Sequence, residues 1–470
     1  MSLSGEAVAI AGAGPTGALL AILLKRRGMA VTLYESRSDP RGAAAEAGRS
    51  INLALADRGT HALAQAGLLE SIRGLVVPMR GRFVHQADGS AGLLPYGRLP
   101  HEVIYSISRR ELNKVLLDAA IGAGVEVRFE HRLEDADFAA GRARLRDLRG
   151  AVSFEIPMNP LLGADGAGSL LRRRLAAQGM IEAEDSPLEH GYKELSIPAG
   201  PNGAALLERE ALHIWPRGGY MLIALPNQDG SFTATLFLSL EGSSSFAALR
   251  SPQAIDEFLS ANFPEARALM PDCVTEFQRH PTGFLGTVHA RTWAAAGTAA
   301  LIGDAAHAIV PFHGQGMNCC FEDCLEFDAC LEGASSSERA AGAGVPWARV
   351  FAEFYARRKP NADAIAEMAL ENYLEMRERV ADPHFRLQQA LALELERRHP
   401  QRFIPRYSMV MFHHEIPYRT AQERGRVQAR LLAQLTSGAQ SLADIDYARA
   451  ARLVEAALPA LGDLSSVMKL

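Results

Sequence analysis

The sequence predicts an α/β protein with a Rossmann-like nucleotide-binding domain, an antiparallel-sheet domain and a helical C-terminal region. Three observations predict this fold. A glycine-rich turn joins an apolar strand to an apolar helix near residue 12. Strand-like runs joined by turn residues occupy residues 213–238, and helical periodicity dominates after residue 346. The chain therefore combines a nucleotide-binding layer with a second, antiparallel layer.

The composition is that of an ordinary globular protein. Of 470 residues, 48% are hydrophobic and 22% are charged, which excludes extensive disorder. A formal net charge of -5 creates no field that would attract nucleic acid or an anionic membrane, so we expect neither partner. The first residues lack a secretory signal, and no stretch approaches about 18 consecutive apolar residues. We therefore expect a cytoplasmic protein.

The cysteines argue against a disulfide framework and against a metal site. There are five, an odd number, and four of them crowd together as Cys319, Cys320, Cys324 and Cys330. The paired spacing that is typical of zinc ligands is missing. We expect reduced, mostly buried thiols near the start of a helix, and no bound metal.

The first motif lies in a predicted β-α-β unit. Residues 8–11 form a short apolar strand, residues 15–27 an apolar helix, and residues 30–34 a second strand. Between the first strand and the helix, residues 12–17 read G-x-G-x-x-G. The helix N-terminus offers free N–H groups and a partial positive charge to phosphates. The cofactor-binding candidates of this turn are Gly12, Gly14, Pro15 and Gly17.

Each glycine of the turn has a separate physical role. Gly12 permits the tight turn, Gly14 lets the backbone approach a pyrophosphate, and Gly17 lets helix and strand pack closely. Glu35 ends the second strand, where its carboxylate can accept hydrogen bonds from a ribose diol. A 2′-phosphate would meet that negative charge, so NADP is disfavoured at this site. NAD and FAD both remain open, as does a glycine-rich turn that binds no ligand.

Two later motifs predict the other end of a nucleotide site. Residues 163–169 contain Asp165 between a strand and a basic helix start, and residues 303–307 place Asp304 directly after an apolar strand. A carboxylate at a strand end is well placed to hold a sugar or ribityl hydroxyl. Helix amides after Gly316 would stabilise negative charge on a reduced isoalloxazine ring. Either aspartate is also explained as a helix N-cap.

The three motifs, in this order and at wide spacing, resemble the single-component FAD-dependent aromatic hydroxylases. The resemblance implies bound FAD, with NADPH and O2 as co-substrates, and it assigns Asp304 to the ribityl chain and Asp165 to a segment linked to both nucleotides. No second Rossmann fingerprint is present, which agrees with that family. The expected domains are a Rossmann-like FAD-binding part over residues 1–180, a substrate domain over 181–285, a flavin-loop part over 286–335 and a helical region over 346–470.

Further blocks match one enzyme of that family more specifically. They cover residues 48–55, 190–195, 214–218, 311–318, 321–324 and 407–410. The resemblance also implies flavin contacts at Arg37, Ala54, Arg109, Leu133, Met317 and Asn318.

Residues 333–346 are rich in Ala, Ser and Gly, and this composition predicts an exposed connection.

The same resemblance assigns a pocket for an aromatic amino-acid substrate. Arg82 would bind the carboxylate, because a guanidinium fork matches a carboxylate geometrically. Tyr96, Asn372 and Tyr407 would complete the polar end, and Phe237 is a candidate for the apolar wall. The simpler alternatives are a surface cation for the arginine, core residues for the tyrosines and a polar helix face for the asparagine.

The candidate catalytic residues are Phe312 and His313, beside the predicted flavin loop. The histidine would contact the substrate or assist proton movement, or would only form a pocket wall. Three alternative functions remain. The protein would hydroxylate a different aromatic substrate, such as an anthranilate-like compound, or it would be a flavin-binding reductase that does not hydroxylate, or an NAD-dependent dehydrogenase. We expect a small-molecule substrate and a monomer or homodimer.

Overall fold

A computed structural model describes residues 3, 5–42, 52–338, 344–375 and 382–462. Residues 48–51, the first part of one sequence block named above, lie outside the described residues. The strands, in chain order, are β1 (Ala7–Ala11), β2 (Ala30–Glu35), β3 (Asn52–Leu55), β4 (Val76–Met79), β5 (Gly81–His85), β6 (Ala91–Pro95), β7 (Ile104–Ser108), β8 (Glu126–Phe129), β9 (His131–Asp137), β10 (Arg142–Asp147), β11 (Val152–Pro157), β12 (Leu161–Gly163), β13 (Ala183–Ile197), β14 (Ala211–Pro216), β15 (Met221–Pro226), β16 (Phe232–Ser239), β17 (Gly283–Ala290), β18 (Ala294–Ala295) and β19 (Ala299–Leu301).

The helices alternate with strands at first and dominate the end of the chain. They are α1 (Pro15–Arg26), α2 (Asp57–Gln65), α3 (Leu69–Ile72), α4 (Arg109–Gly122), α5 (Leu170–Ala177), α6 (Pro252–Asn262), α7 (Pro264–Ala268), α8 (Cys273–Arg279), α9 (Asp304–His307), α10 (Gly316–Glu338), α11 (Trp347–Leu374), α12 (Pro383–Arg398), α13 (Arg406–Phe412), α14 (Tyr418–Thr436) and α15 (Tyr447–Ala457). The predicted fold class and the helical C-terminal region are confirmed.

A mostly parallel sheet carries the glycine turn. Its order within the described chain is β18-β19-β12-β1-β2-β8. Strand β1 lies between β2 and β12 in parallel register, with Ala11 opposite both Tyr34 and Gly163. The carboxyl ends of these strands therefore meet at one edge, which is where ligands bind in open α/β sheets. Pro15 begins α1 directly above this edge, and its missing N–H costs the first turn nothing.

A larger sheet forms the second layer. Its order among the described strands is β17-β13-β16-β15-β14-β5-β6, and the neighbours are antiparallel except for the parallel pair β14–β5. Side chains alternate between the two faces. One face buries Trp215, Leu222 and Phe232 against α6, α7 and α8. The opposite face carries Met221, Ile223 and Phe237, so it is free to line a cavity.

The large sheet draws strands from two predicted intervals. β5 and β6 lie within residues 1–180 but pair with β14, which lies within residues 181–285. β17 crosses the predicted limit at residue 285. The domain limits themselves stay a prediction. Two smaller antiparallel sheets, β11-β10-β9 and β3-β7-β4, complete the strand inventory of the described residues.

Helix α10 corrects one prediction. We expected an exposed connection from residue 333, but α10 continues to Glu338. Leu331 and Ala334 remain in contact with the main core, and this apolar face carries the helix past Gly333. The cysteines of α10 are buried and unbridged, as expected. Of the helices in the described part of the chain, none is both long enough and apolar enough to cross a membrane.

Candidate active site

The glycine turn leaves no room for side chains at two positions and leaves space at the third. Gly12 has φ +101°, and a Cβ there would lie 2.4 Å from the carbonyl oxygen of Ala164. A Cβ on Gly17 would lie 2.0 Å from the carbonyl oxygen of Gly12. At Gly14 a Cβ would meet no atom within 4 Å. Glycine is therefore required by the protein itself at Gly12 and Gly17, whereas the space beside Gly14 is available to a ligand.

Glu35 is held at the end of β2 by the turn and by its neighbour. Its carboxylate accepts hydrogen bonds from Ala13 N at 3.0 Å and from Arg37 Nε at 2.9 Å. Burial by itself would raise the pKa of Glu35, but these hydrogen bonds outweigh burial and lower the pKa below its ordinary value. The side chain is therefore an ionised acceptor beside the turn, as the ribose interpretation requires.

Asp165 behaves partly as the helix-cap alternative predicts. Its Oδ2 accepts hydrogen bonds from Leu170 N at 2.7 Å and Leu171 N at 3.4 Å, at the start of α5. Its Oδ1 is buried and has no hydrogen-bond partner within the described structure. Burial raises the pKa of this carboxyl. One oxygen thus holds the helix, and the other is left for a hydroxyl of a ligand.

These residues surround a cavity of about 610 Å³ with a basic rim. Of the predicted cofactor residues, this cavity is lined by Gly12, Gly14, Glu35, Arg37, Arg109, Leu133 and Asp165. Two further cations, Arg132 and Arg173, line it as well. The cavity suits the pyrophosphate and adenylate of a dinucleotide, because glycine backbone, a helix N-terminus and several arginines offer N–H groups and positive charge to phosphate.

A second cavity of about 350 Å³ lies beside the first, and Arg109 lines both. Of the predicted cofactor residues, it is lined by Pro15, Ala54, Arg109, Asp304, Gly316 and Met317. Of the predicted substrate and catalytic residues, it is lined by Arg82, Tyr96, Phe237, Phe312, His313 and Tyr407. The predicted cofactor and substrate sites therefore share one space.

Asn318 acts behind the cavity wall and fixes the loop that precedes α10. Its Nδ2 donates to the carbonyl oxygens of Ala54 and Gly314, each at 2.8 Å, and its Oδ1 accepts from Ala56 N at 2.9 Å. Gly314 has φ +66°, which favours glycine at this turn. Asn318 thus joins β3 to the loop rather than facing the cavity. Gly17, likewise, packs beneath the turn.

A buried ionic network supports Asp304 from below. Asp323 Oδ2 accepts from Gly303 N at 3.1 Å and lies 2.6 Å from His307 Nε2, and its Oδ1 accepts from Arg358 Nε at 2.7 Å. Burial alone would raise the pKa of Asp323, but His307 and Arg358 outweigh it and lower that pKa. The network ties the strand end at Gly303 to α10 and α11, so Asp304 is presented on a rigid support.

Arg82 has its guanidinium enclosed by two aromatic rings. Its Cζ lies 4.7 Å from the Tyr407 ring centre and 5.7 Å from the Tyr96 ring centre. Among residues 5–42, 52–338, 344–375 and 382–462, no carboxylate lies within ion-pair distance of it, Glu375 acts on its charge from further away, and its Nε is buried without a hydrogen-bond partner. The simpler alternative of an ordinary surface cation is therefore wrong for Arg82. An enclosed cation of this kind suits an anionic ligand.

Asn372 does not line the cavity. Its Nδ2 donates to the carbonyl oxygen of Phe312 at 2.6 Å from behind the wall. Phe312 in turn contacts Phe237, with ring centres 5.0 Å apart. The structure thus places Asn372 where it positions Phe312, rather than where it touches a ligand.

His313 is a neutral histidine in the cavity wall. Its ring stacks on Tyr407, with centres 5.4 Å apart. Burial, with smaller contributions from Arg406 and Arg82, lowers the pKa of His313 to about 3. Its Nδ1 has no hydrogen-bond partner in the described part of the chain. At neutral pH the imidazole can accept or donate a hydrogen bond, but it is not a cationic acid.

Sequence reasoning missed part of the lining. The missed residues include Thr16, Asn52, Met79, Ile104, Tyr192, Thr235, Cys320 and Met411. Two of them follow from periodicity. Thr235 lies two residues before Phe237 on β16, on the same face of the strand, and Met411 lies four residues after Tyr407 on α13. The others come from segments that only packing brings together.

The residues present fit an elongated dinucleotide such as FAD. Gly14, with open space beside it, and Asp165, with its unpartnered Oδ1, line the first cavity, and Asp304 lines the second. Arg109 lines both cavities. The donors and acceptors match a pyrophosphate and sugar hydroxyls. The remaining space, beside Arg82, is open to a second, smaller molecule.

Comparison with known proteins identifies the same architecture. A family model described as an FAD binding domain matches residues 6–331. A kynurenine 3-monooxygenase of Stenotrophomonas maltophilia (strain K279a) is 49% identical over 456 residues, which cover 97% of this chain and 98% of that protein. A kynurenine 3-monooxygenase of Myxococcus xanthus (strain DK1622) is 44% identical over 454 residues, which cover 96% of each protein.

Solved structures show the same fold at low identity. The p-nitrophenol 4-monooxygenase PnpA from Pseudomonas putida DLL-E4 superposes with a TM-score of 0.65 at 18% identity, covering 84% of this chain and 94% of that one. A tetrameric form of 2-methyl-3-hydroxypyridine-5-carboxylic acid oxygenase superposes with a TM-score of 0.63 at 20% identity, covering 83% and 97%.

Proposed function

The chain belongs to the kynurenine 3-monooxygenase family of FAD-dependent monooxygenases, and we propose that it hydroxylates L-kynurenine to 3-hydroxykynurenine. The overall reaction consumes L-kynurenine, NADPH, a proton and O2, and yields 3-hydroxykynurenine, NADP⁺ and water. This step belongs to tryptophan breakdown through kynurenine. When bound, FAD that NADPH has reduced activates O2 and supplies the oxygen atom that enters the ring.

The observation that carries the substrate assignment is the enclosed cation of Arg82. L-Kynurenine has an amino-acid carboxylate at one end and an aromatic ring at the other. Arg82 would bind the carboxylate with two parallel N–H donors, and the ion pair would be strong because the aromatic rings exclude water from it. Tyr96 and Tyr407 would share that carboxylate through their hydroxyl groups.

The apolar wall would hold the ring of the substrate. Met221, Ile223 and Phe237 project from one face of the large sheet into the cavity, and Phe312 closes the side nearest the flavin loop. Such a wall orients an aromatic ring by contact and keeps water away from the reacting oxygen. Asn372 would act indirectly in this arrangement, as a positioning residue that holds Phe312 by its carbonyl group.

His313 would serve the reaction as a neutral hydrogen-bonding group. Because burial holds the pKa of His313 at about 3, a role that requires an imidazolium at neutral pH is disfavoured. Its Nδ1 faces no described partner and is available to the keto or amino group of the substrate.

The residues that would hold FAD follow the two cavities. The turn at Gly12, Gly14, Pro15 and Gly17 would receive the pyrophosphate, and Glu35 the ribose of the adenylate end. Arg37, Leu133 and Asp165 would line the nucleotide, together with Arg109, which lines both cavities. Ala54, Asp304, Gly316, Met317 and Asn318 would form or support the flavin end.

The direct test is a substrate-dependent assay on purified protein. We expect bound flavin in the visible spectrum and NADPH oxidation that L-kynurenine accelerates. Mass spectrometry should identify 3-hydroxykynurenine, with one oxygen-18 atom incorporated from ¹⁸O₂. A panel that includes anthranilate tests the related aromatic substrates. If flavin-loaded protein oxidised NADPH without labelling any aromatic product, the reductase alternative would replace this proposal. A cytoplasmic location and a monomer or homodimer stay proposals that rest on the sequence.

A further inference from the structure

The cavity wall contains a hydroxyl group that the roles described above do not use. Seven side chains of β14, β15 and β16 line the cavity, and they are Leu212, Met221, Ile223, Leu225, Thr233, Thr235 and Phe237. The two threonines are the polar members of this set. Thr233 Oγ1 is already engaged, since it accepts a hydrogen bond from Asn227 Nδ2 at 3.3 Å.

Thr235 differs from Thr233 in burial and in bonding. It is 6% exposed, and its hydroxyl forms no hydrogen bond with any residue that the structure describes. The hydroxyl lies on the cavity lining, where an occupant of the cavity can reach it, and valine would fill the same volume on a strand. The hydroxyl is therefore unexplained by packing, and it lies on the wall of the ligand cavity.

Strand register places Thr235 at the ring end of the cavity. Thr235 lies opposite Ile223, Ile223 opposite Ile214, and Ile214 opposite Val84 on β5. β5 also carries Arg82, two residues before Val84, so the backbones of Thr235 and Arg82 are three strand spacings and two residues apart, or about 16 Å. Both residues line the same cavity of about 350 Å³, which has room for an aromatic amino acid between them.

Along β16, Thr235 lies between Thr233, which is nearer the cross-strand position of Arg82, and Phe237, which is nearer Phe312. Thr233 pairs with Leu225, whereas Phe237, two residues beyond Thr235, contacts Phe312 beside the flavin loop. A ring whose carboxylate is held at Arg82 would thus pass Thr235 before reaching Phe237. This position suits contact with a substituent on the ring.

We propose that the Thr235 hydroxyl accepts a hydrogen bond from the ring amino group of the substrate, which makes Thr235 a specificity-determining residue. This inference rests on the proposed function, because the amino group is that of kynurenine. A hydroxyl oxygen is a suitable acceptor for an aromatic amine N–H. Rotating the ring by half a turn about its bond to the keto carbon would move the amine away from Thr235. The bond therefore selects which edge of the ring faces the site of oxygen transfer: the edge with the amine and the unsubstituted carbon beside it, or the opposite edge.

The test compares two ligands that differ by the amine alone. L-Kynurenine and 3-benzoylalanine share the carboxylate and the keto group, but the second lacks the ring amine. Dissociation constants are measured on FAD-loaded enzyme by the change in flavin absorbance. For Thr235→Val we expect kynurenine to bind about five- to tenfold more weakly, the effect of one lost hydrogen bond, and 3-benzoylalanine to bind within about twofold of the unchanged enzyme.

The control variants separate the hydroxyl from the shape of the side chain. Thr235→Ser keeps the hydroxyl and should keep the preference for kynurenine over 3-benzoylalanine. Product analysis adds a second measurement, since Thr235→Val should form less 3-hydroxykynurenine per NADPH consumed. Thr235→Ala removes the same hydroxyl and gives the measurement if the valine variant fails to load FAD.

Two outcomes would overturn the proposal: equal weakening of both ligands, or no weakening of kynurenine, in the variants that lack the hydroxyl. Failure of the proposed function is distinguishable, because the unchanged enzyme would then form no 3-hydroxykynurenine at all. If the unchanged enzyme hydroxylates kynurenine and Thr235→Val still prefers kynurenine over 3-benzoylalanine as strongly, only the role of Thr235 is contradicted.

Discussion

The guanidinium of Arg82, on β5, lies 4.7 Å from the ring centre of Tyr407, on α13, so the large sheet and the C-terminal helices meet at the polar end of the cavity. The same helix places Met411, one turn later, against the cavity and 2.9 Å from Gln315 Nε2 in the flavin loop. The C-terminal helices therefore contribute directly to the proposed substrate site and to the support of the flavin end.

Removing the Arg82 cation should weaken substrate binding without loss of FAD. For Arg82→Ala we expect the dissociation constant of L-kynurenine to rise about 30-fold or more, because a carboxylate would then be enclosed without its partner, at a cost of about 2 kcal/mol or more. Flavin content and absorbance should be unchanged. Arg80→Ala is the matched control, since Arg80 is exposed and pairs with Glu210. Unchanged kynurenine affinity in Arg82→Ala would refute the assigned role.

Gly14 offers a test of the nucleotide site that spares the protein. A Cβ at Gly14 meets no protein atom within 4 Å, so Gly14→Ala should leave the stability of the FAD-free protein unchanged. The added methyl group would occupy the space proposed for the pyrophosphate. We expect FAD to bind about tenfold more weakly or worse, which corresponds to about 1.4 kcal/mol, as measured by fluorescence titration of FAD-free protein.

Gly17→Ala is the contrasting variant for this test. Its methyl group would lie 2.0 Å from the carbonyl oxygen of Gly12, so it should destabilise the protein even when FAD is absent. If both alanine variants lowered the unfolding temperature of FAD-free protein equally, the open space beside Gly14 would have no special relation to the ligand.

The buried histidine predicts a pH dependence of stability. The folded state lowers the pKa of His313 to about 3, mainly through burial, whereas an unfolded histidine titrates near about 6.5. Between these values the unfolded chain binds a proton that the folded chain does not, so stability is lost as pH falls below about 6.5. At pH 5 the loss from this group is about 2 kcal/mol.

His313→Gln should remove that contribution. We expect the unfolding temperature of this variant to fall less than that of the unchanged protein between pH 7 and pH 5, as measured by differential scanning fluorimetry of FAD-loaded samples. His384→Gln, which changes an exposed histidine, is the control. A decline identical to that of the unchanged protein would show that His313 does not remain neutral in the fold.

The ionic network below Asp304 should be essential for stability. Asp323→Ala leaves the Arg358 guanidinium buried without one of its carboxylate partners, and the loss should be about 3–5 kcal/mol. Glu326→Ala is the matched control on the same helix, because its side chain is 38% exposed and its ion pair with Arg357 is long, at 3.5 Å. Thermal unfolding with and without FAD measures both variants, and equal effects would contradict the support proposed for Asp304.

Local patterns were sufficient to predict the nucleotide end of the site. The turn at residues 12–17 and Glu35 lie within one β-α-β unit, so their relation is set by nearby residues and by the geometry of a strand and a helix. Alternation along β16 likewise predicts that Phe237 and Thr235 share a face. The helical continuation of α10 past Gly333 was not predictable in this way, because it depends on contacts of Leu331 and Ala334 with a distant core.

The sequence by itself determined the class of the protein, since glycine turns, strand alternation and helix starts are local consequences of backbone sterics and hydrophobic periodicity. Only the tertiary structure decided that Arg82 is enclosed by Tyr96 and Tyr407, and that Asn372 lies behind Phe312 instead of in the cavity. Those relations join segments from distant parts of the chain. Close packing, rather than any local preference, determines which side chains of such segments face a ligand and which support the wall.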